Sequence, residues 1–303
     1  MRQHRRIGAY GLCRDGDRVL LTRGSDAADF PGRWQVPGGG LEHGEEPGVA
    51  VVREFAEETG LTVAVTGVRA VLADVVRLPD LAVALHTDRV VYDVTPTGGT
   101  LRDEVAGTTD RVAWVAPDEL AGLSLMPFTA ELLGRPVVPL AQDPPHPVGR
   151  VPYDPPPVDR GQRFAAYGWV TDPADRLLLT LIADGYPGAG RWHLPGGGTD
   201  HGEQPEAALL RELVEESGQL GRVTGLVDVT HLHNPAALGP EGRPMDWHSV
   251  RAIYRVRVAT PTEPRVTEAA GGSTARAGWF TVGEAAALPL TDVAAMITGR
   301  SAS

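Results

Sequence analysis

A long stretch of this sequence occurs twice. Arg33-Trp34-Gln35-Val36-Pro37-Gly38-Gly39-Gly40 returns as Arg191-Trp192-His193-Leu194-Pro195-Gly196-Gly197-Gly198. Beyond it, Glu45, Arg53, Glu54, Glu57, Glu58 and Gly60 return at the same spacing as Glu203, Arg211, Glu212, Glu215, Glu216 and Gly218. Further on, His86-x-x-Arg89-x-x-Tyr92 matches His248-x-x-Arg251-x-x-Tyr254, and Glu104 to Trp114 loosely matches Glu268 to Trp279. A repeat on this scale sets the architecture first: one folding unit, used twice. With 303 residues, each copy is long enough to bury its own core. The expected domains are residues 1–137 and 163–303. Residues 138–162 join them and include Pro139, Pro144, Pro145, Pro147, Pro152, Pro155, Pro156 and Pro157. Such a segment is either a semi-rigid spacer or a proline-rich loop laid along a domain surface.

Within the first copy, Ile7–Cys13 and Arg18–Thr22 read as strands around the turn Arg14-Asp15-Gly16-Asp17. The second copy repeats this as Phe164–Val170 and Arg176–Thr180. A helix is expected over Pro47–Thr59, with proline at its first turn and Gly60 just beyond its end. Glu54, Glu57 and Glu58 fall at i, i+3 and i+4 and share a face, while Val52, Phe55 and Ala56 are expected to turn toward a core. Thr62–Val76 and Leu81–Val94 read as strands, as does Arg111–Val115. Short helices are expected at Pro117–Leu120 and Phe128–Leu133. The copies differ most where His231–Trp247, read as a long loop, replaces the short stretch Arg77–Ala84.

Three carboxylates on one helical face repel one another unless cations sit among them. Arg53 supplies one positive charge, and a hard divalent ion bound through oxygen would supply the rest. The stretch resembles the Nudix box, G-x5-E-x7-R-E-U-x-E-E-x-G-U with U a bulky apolar residue. It reads without mismatch from Gly39 to Leu61. In the second copy Gln219 replaces the final apolar residue.

The resemblance implies two tandem Nudix-type α/β/α sandwich domains with mixed sheets. It also implies a Mg2+- or Mn2+-dependent hydrolase that splits a diphosphate linkage in a nucleoside diphosphate derivative or related organic diphosphate. By the same resemblance, Glu57, Glu58, Glu215 and Glu216 hold metal, with the carbonyls of Gly38 and Gly196. Glu54 and Glu212 serve as ligand or base. Arg53 and Arg211 orient the carboxylates, and Glu45 and Glu203 join that network or reach metal through water. A base on a loop outside the box is a further family feature, for which Glu104 and Glu268 are the candidates. Arg89 and Arg251 are candidate phosphate contacts, and Trp247 could stack on a base. His86, His248, Trp34 and Trp192 are expected to be structural. The alternative to two active sites is a nucleotide-binding or regulatory module in which one copy is silent.

Composition narrows the class of partner. The net charge of −11 speaks against a nucleic-acid-binding surface. It does not speak against a phosphorylated small molecule, because bound cations invert the local sign. A lone cysteine, Cys13, excludes an internal disulfide. With no apolar run of spanning length and no signal-like start, a cytoplasmic protein is expected.

Overall fold

The computed structural model describes residues 1–140, 159–238, 244–267 and 272–301. The chain divides into two compact units, Met1–Gln162 with His231–His248, and Arg163–Thr230 with Ser249–Ser303. Most of the proline-rich segment lies outside the described residues, as does Glu268.

In the first unit the elements run β1 (Arg2–Asp15), β2 (Arg18–Gly24), β3 (Trp34–Gln35), β4 (Gly38–Gly40), α1 (Pro47–Thr59), β5 (Leu61–Leu78), β6 (Val83–Gly99), β7 (Thr109–Val115) and α2 (Pro127–Leu132). The sheet order is β3-β2-β1-β6-β5, with β4 added on β1 and β7 on β2. β1 runs parallel to β6 and antiparallel to β2 and β4, so the sheet is mixed. Neighbouring residues of a strand face opposite ways, and β1 shows the layering directly. Tyr10 meets Phe128 of α2, with ring centroids 5.0 Å apart. Gly11 faces Phe55 of α1, so closely that an added Cβ would lie 2.4 Å from the ring. The sheet is therefore sandwiched between two helices.

The core on the α2 side includes Tyr10, Leu21, Trp34, Val91, Met126 and Phe128. On the other side, α1 buries Ala50, Val51, Phe55, Glu58 and Thr59. This corrects the expected core face: Phe55 is buried, but Val52 is only half-buried and Ala56 is exposed. The helix is rotated so that Glu58 points inward.

The second copy repeats the plan with β8 (Arg160–Thr171), β9 (Leu177–Ile182), β10 (Trp192–His193), β11 (Gly196–Gly198), α3 (Pro205–Ser217), β12 (Arg222–Leu238), β13 (Pro244–Arg257), β14 (Thr274–Phe280), α4 (Val282–Ala286) and α5 (Asp292–Ser301); the start of β8, the end of β12 from His231 and the start of β13 to His248 belong to the first unit. The second copy's sheet order is β10-β9-β8-β13-β12, with β11 on β8 and β14 on β9. Both architectures are mixed α/β units.

Three local expectations shift. The helix expected at Pro117–Leu120 is a 3-10 turn at Glu119–Gly122. The strands expected at Thr62–Val76 and Leu81–Val94 run on to Leu78 and to Gly99. The stretch read as a loop at His231–Trp247 is strand over its described residues, the ends of β12 and β13. Among the described residues no helix is long and apolar enough to cross a membrane.

Candidate functional site: an acidic helix face beneath a glycine loop

The glycine loop and the box helix build the site together. Pro47 opens α1, and Gly60, at φ 73°, closes it in the left-handed conformation. Gly38, at φ 140°, approaches β1 so closely that a Cβ would lie 2.3 Å from the carbonyl oxygen of Ala9. Next to it, a Cβ on Gly39 would lie 2.6 Å from a carboxylate oxygen of Glu54. The loop is all glycine because backbone and carboxylate occupy the space that side chains would need.

Arg53 organises the acidic side chains. Its Nε and Nη2 donate to the two oxygens of Glu45, each at 2.9 Å. Its Nη1 donates to Glu54 at 2.8 Å and to Glu57 at 3.2 Å, and its Nη2 also reaches the carbonyl of Gly40 at 3.2 Å. A planar guanidinium can make this fork, and a lysine cannot. Glu58 stands apart, buried, and accepts from the backbone N–H of Gly38 at 2.9 Å. Burial pushes its carboxyl up to about 8, against the Gly38 hydrogen bond; the charges of Glu54 and Glu104 push the same way. Burial likewise raises the pKa of Glu54, with Arg53 opposing.

The second unit reproduces the network. Arg211 donates to Glu203 at 2.9 and 3.0 Å, to Glu212 at 3.0 Å, to Glu215 at 3.3 Å and to the carbonyl of Gly198 at 3.2 Å. Glu216 is buried and accepts from Gly196 N–H at 2.8 Å. The hydroxyl of Thr274 donates to its other oxygen. Gln219, the one departure from the box, is buried and bonds Ser217 and Thr262, so it serves as a structural amide.

The remaining candidates divide. Glu104 accepts from the N–H and the hydroxyl of Thr109, both at 2.9 Å, and lies near enough to Glu58 to affect its pKa. Arg89 is buried. Its Nη1 lies 2.8 Å from Asp74 Oδ2, its guanidinium sits 4.5 Å from the Phe128 ring centroid, and its Nε has no hydrogen-bond partner among the described residues. It lines a cavity of about 440 Å³ with Arg6, Tyr10, Phe30, Arg33 and Thr87. Sequence reading named Arg89 but missed Arg6, Phe30 and Arg33. Arg33 lay inside the repeated stretch, which was the available signal. In the second unit Arg251 is close enough to Tyr167 and His193 to act on both.

Trp247 belongs to the first unit, where its ring packs against Gly161; a Cβ there would lie 2.4 Å from it. His86 and His248 are fully buried, and Trp34 and Trp192 are core residues.

The acidic face suits a divalent cation. It offers oxygen ligands of graded exposure on one helix, and one of them is a buried carboxylate with no cationic side chain among its hydrogen bonds. Layering, glycine loop and acidic helix together define a mixed α/β sandwich that carries an acidic helix face beneath a glycine loop in each copy. A NUDIX domain family model matches residues 2–139 and 161–298. The chain belongs to the Nudix family and carries two Nudix domains in tandem.

Among relatives, it is 36% identical over 110 residues to a MutT-like protein of Streptomyces ambofaciens, covering 36% of this chain and 62% of that one. It is 56% identical over 45 residues to human diphosphoinositol polyphosphate phosphohydrolase 3-alpha, covering 15% of this chain and 26% of that one. The matches thus span less than two thirds of these relatives' length. Among solved structures, a MutT NUDIX hydrolase from Burkholderia pseudomallei aligns at a TM-score of 0.37 and 30% identity, over 47% of this chain and 99% of its own.

Proposed function

We infer that each unit is a divalent-metal-dependent site that hydrolyses a diphosphate linkage in a nucleoside diphosphate derivative or related organic diphosphate. The observation behind this is that the Arg–Glu networks of the two units correspond bond for bond. In the first unit Glu57 and Glu58 with the Gly38 carbonyl would hold Mg2+ or Mn2+; in the second, Glu215 and Glu216 with the Gly196 carbonyl. Such ions neutralise diphosphate charge and make bound water acidic.

The chain's own groups do the rest. Arg53 and Arg211 fix the carboxylates, with Glu45 and Glu203 as their anchors. Glu54 and Glu212 are the bases that take the proton from the attacking water; burial raises the pKa of both, moving them toward the working pH. Glu104 adds a carboxylate beside Glu58. Arg89, which lines the cavity and whose buried Nε has no hydrogen-bond partner among the described residues, binds substrate phosphate, and Arg251 does so in the second unit. The substrate is a small phosphorylated molecule.

The test is a Mg2+/Mn2+ screen of nucleoside triphosphates, nucleotide sugars, ADP-ribose and dinucleoside polyphosphates on wild type, Glu57→Gln, Glu215→Gln and the double variant. Each single variant should retain part of the activity and the double none. No release by wild type would overturn the reading. Full activity in Glu57→Gln and none in Glu215→Gln, or the reverse, would leave one site rather than two.

A further inference from the structure

A second cluster, of different chemistry from the acidic helix face, lies in the first unit. His43 sits in the loop ahead of α1, and His233 and Asp246 lie near the ends of β12 and β13. One ligand atom from each falls within 4.8 Å of the others. Nε2 of His233 is 2.7 Å from Asp246 Oδ1, and Nε2 of His43 is 3.2 Å from the same oxygen. The His43 nitrogen is buried yet makes no hydrogen bond of acceptable geometry with that oxygen or any other described group. A ring nitrogen that faces a carboxylate oxygen off-axis is placed as a ligand beside a shared ion would be.

The surroundings support the placement. Gly44, at φ 82°, lies so close to the His233 ring that a Cβ would come within 2.7 Å of it, so this loop is shaped around that imidazole. Its N–H donates to Nδ1 of the fully buried His248 at 3.2 Å. The rings of His43 and His233 stand at 90° with centroids 5.7 Å apart, so they approach as separate ligands rather than as a stack.

We propose that His43, His233 and Asp246 form a transition-metal site, of the zinc class, distinct from the carboxylate cluster on α1. Two imidazole nitrogens and one carboxylate oxygen suit Zn2+, Co2+ or Ni2+, whereas Mg2+ prefers oxygen alone. Metal–ligand bonds of about 2.0–2.2 Å put neighbouring ligand atoms roughly 3–3.5 Å apart. The His43–Asp246 spacing already fits, and the His233–Asp246 contact opens by a side-chain rotation. The ion would pin the ends of β12 and β13 that carry His233 and Asp246 to the loop that carries Glu45, and so steady the carboxylate that anchors Arg53.

The full-length protein, stripped with chelator, is titrated with Zn2+ and with Co2+ in excess Mg2+. Binding is read by calorimetry, the Co2+ visible spectrum and thermal melting. The background is Glu57→Gln/Glu215→Gln, which weakens competing binding at the acidic helices. A tight zinc with a nitrogen-ligated Co2+ spectrum and a zinc-dependent rise in Tm is expected. Affinity should fall roughly tenfold or more in His233→Gln and in Asp246→Asn. Equal zinc affinity in these variants and their parent, or no tight zinc in the parent, overturns the proposal. Because His233 is exposed, its replacement leaves the fold in place, and unchanged circular dichroism of the apo variant checks this.

Discussion

Glu58 is where stability and function oppose each other. In the metal-free protein its pKa is pushed up to about 8 by burial, while in the unfolded chain it returns to the ordinary glutamate range. The folded state therefore holds a proton that the unfolded state sheds. Under proton linkage, stability falls as pH rises from the unfolded value through about 8. Glu58→Gln removes this term and keeps an acceptor for the Gly38 N–H. In chelator, the variant should melt above wild type, by little near pH 5 and by several degrees near pH 8.5. Adding Mg2+ should raise the wild-type Tm more than that of the variant, which keeps only the second unit's site whole, and first-unit Mg2+ affinity in wild type should weaken as pH drops below 8, because binding must displace the proton. Melting curves across pH with and without Mg2+ check both. A variant that melts below wild type at pH 8.5 in chelator would show that Glu58 is not held against its charge.

Among the elements, two glycines separate packing from chemistry. Gly11 of β1 leaves room for Phe55, and an added methyl would sit 2.4 Å from that ring. Gly11→Ala overpacks the joint between α1 and the sheet and should cost about 1–3 kcal/mol. Gly39→Ala instead meets the Glu54 carboxylate at 2.6 Å, a side chain that can swing away. That variant should keep its Tm within about 2 °C and lose first-unit turnover by roughly a hundredfold in a Glu215→Gln background. Melting and initial rates distinguish them, and a Gly39→Ala enzyme at full speed would remove Glu54 from the chemistry.

The same elements show what could be read beforehand. α1 was legible to the residue because Pro47 and Gly60 punctuate it. Its inward face was not, because Ala56 and Val52 look as apolar as Val51, and only the approach to Gly11 decides the rotation. The ends of β12 and β13 looked like a loop because His233, Asn234 and Pro235 lack strand alternation; pairing, not propensity, makes them strands. The α4 start was legible but unread, since Thr281 and Glu284 form a capping box. The meeting of His43 with His233 and Asp246 left no local signal, because its members are remote in sequence.

At the scale of the whole molecule, the duplicated machinery contrasts with unlike pocket walls. In the first unit Trp34 bridges Leu125, Met126 lines the cavity with Arg89, and the Arg89 guanidinium sits over the Phe128 ring. In the second, Trp192 bridges Leu290, and His193, at the repeat position of Gln35, is hydrogen-bonded to Thr291 at 2.5 Å and edge-on to Tyr167. Burial, then the charge of Arg251, lowers the pKa of His193 to about 4, so its imidazole is neutral at ordinary pH, with one donor and one acceptor; Gln35, at the same repeat position and lining the first unit's cavity, is an amide with a different donor and acceptor layout. A hydrogen-bonding side chain rejects groups that cannot pair with it, so an imidazole and an amide at one position select differently. The two units should therefore prefer different diphosphates. With Glu215→Gln reporting the first unit and Glu57→Gln the second, kcat/KM ratios over the same panel should differ by at least about tenfold for one substrate pair. His193→Gln should move the second unit's profile toward the first. Superimposable profiles would mean that the walls do not choose the substrate and that duplication here supplies capacity rather than breadth.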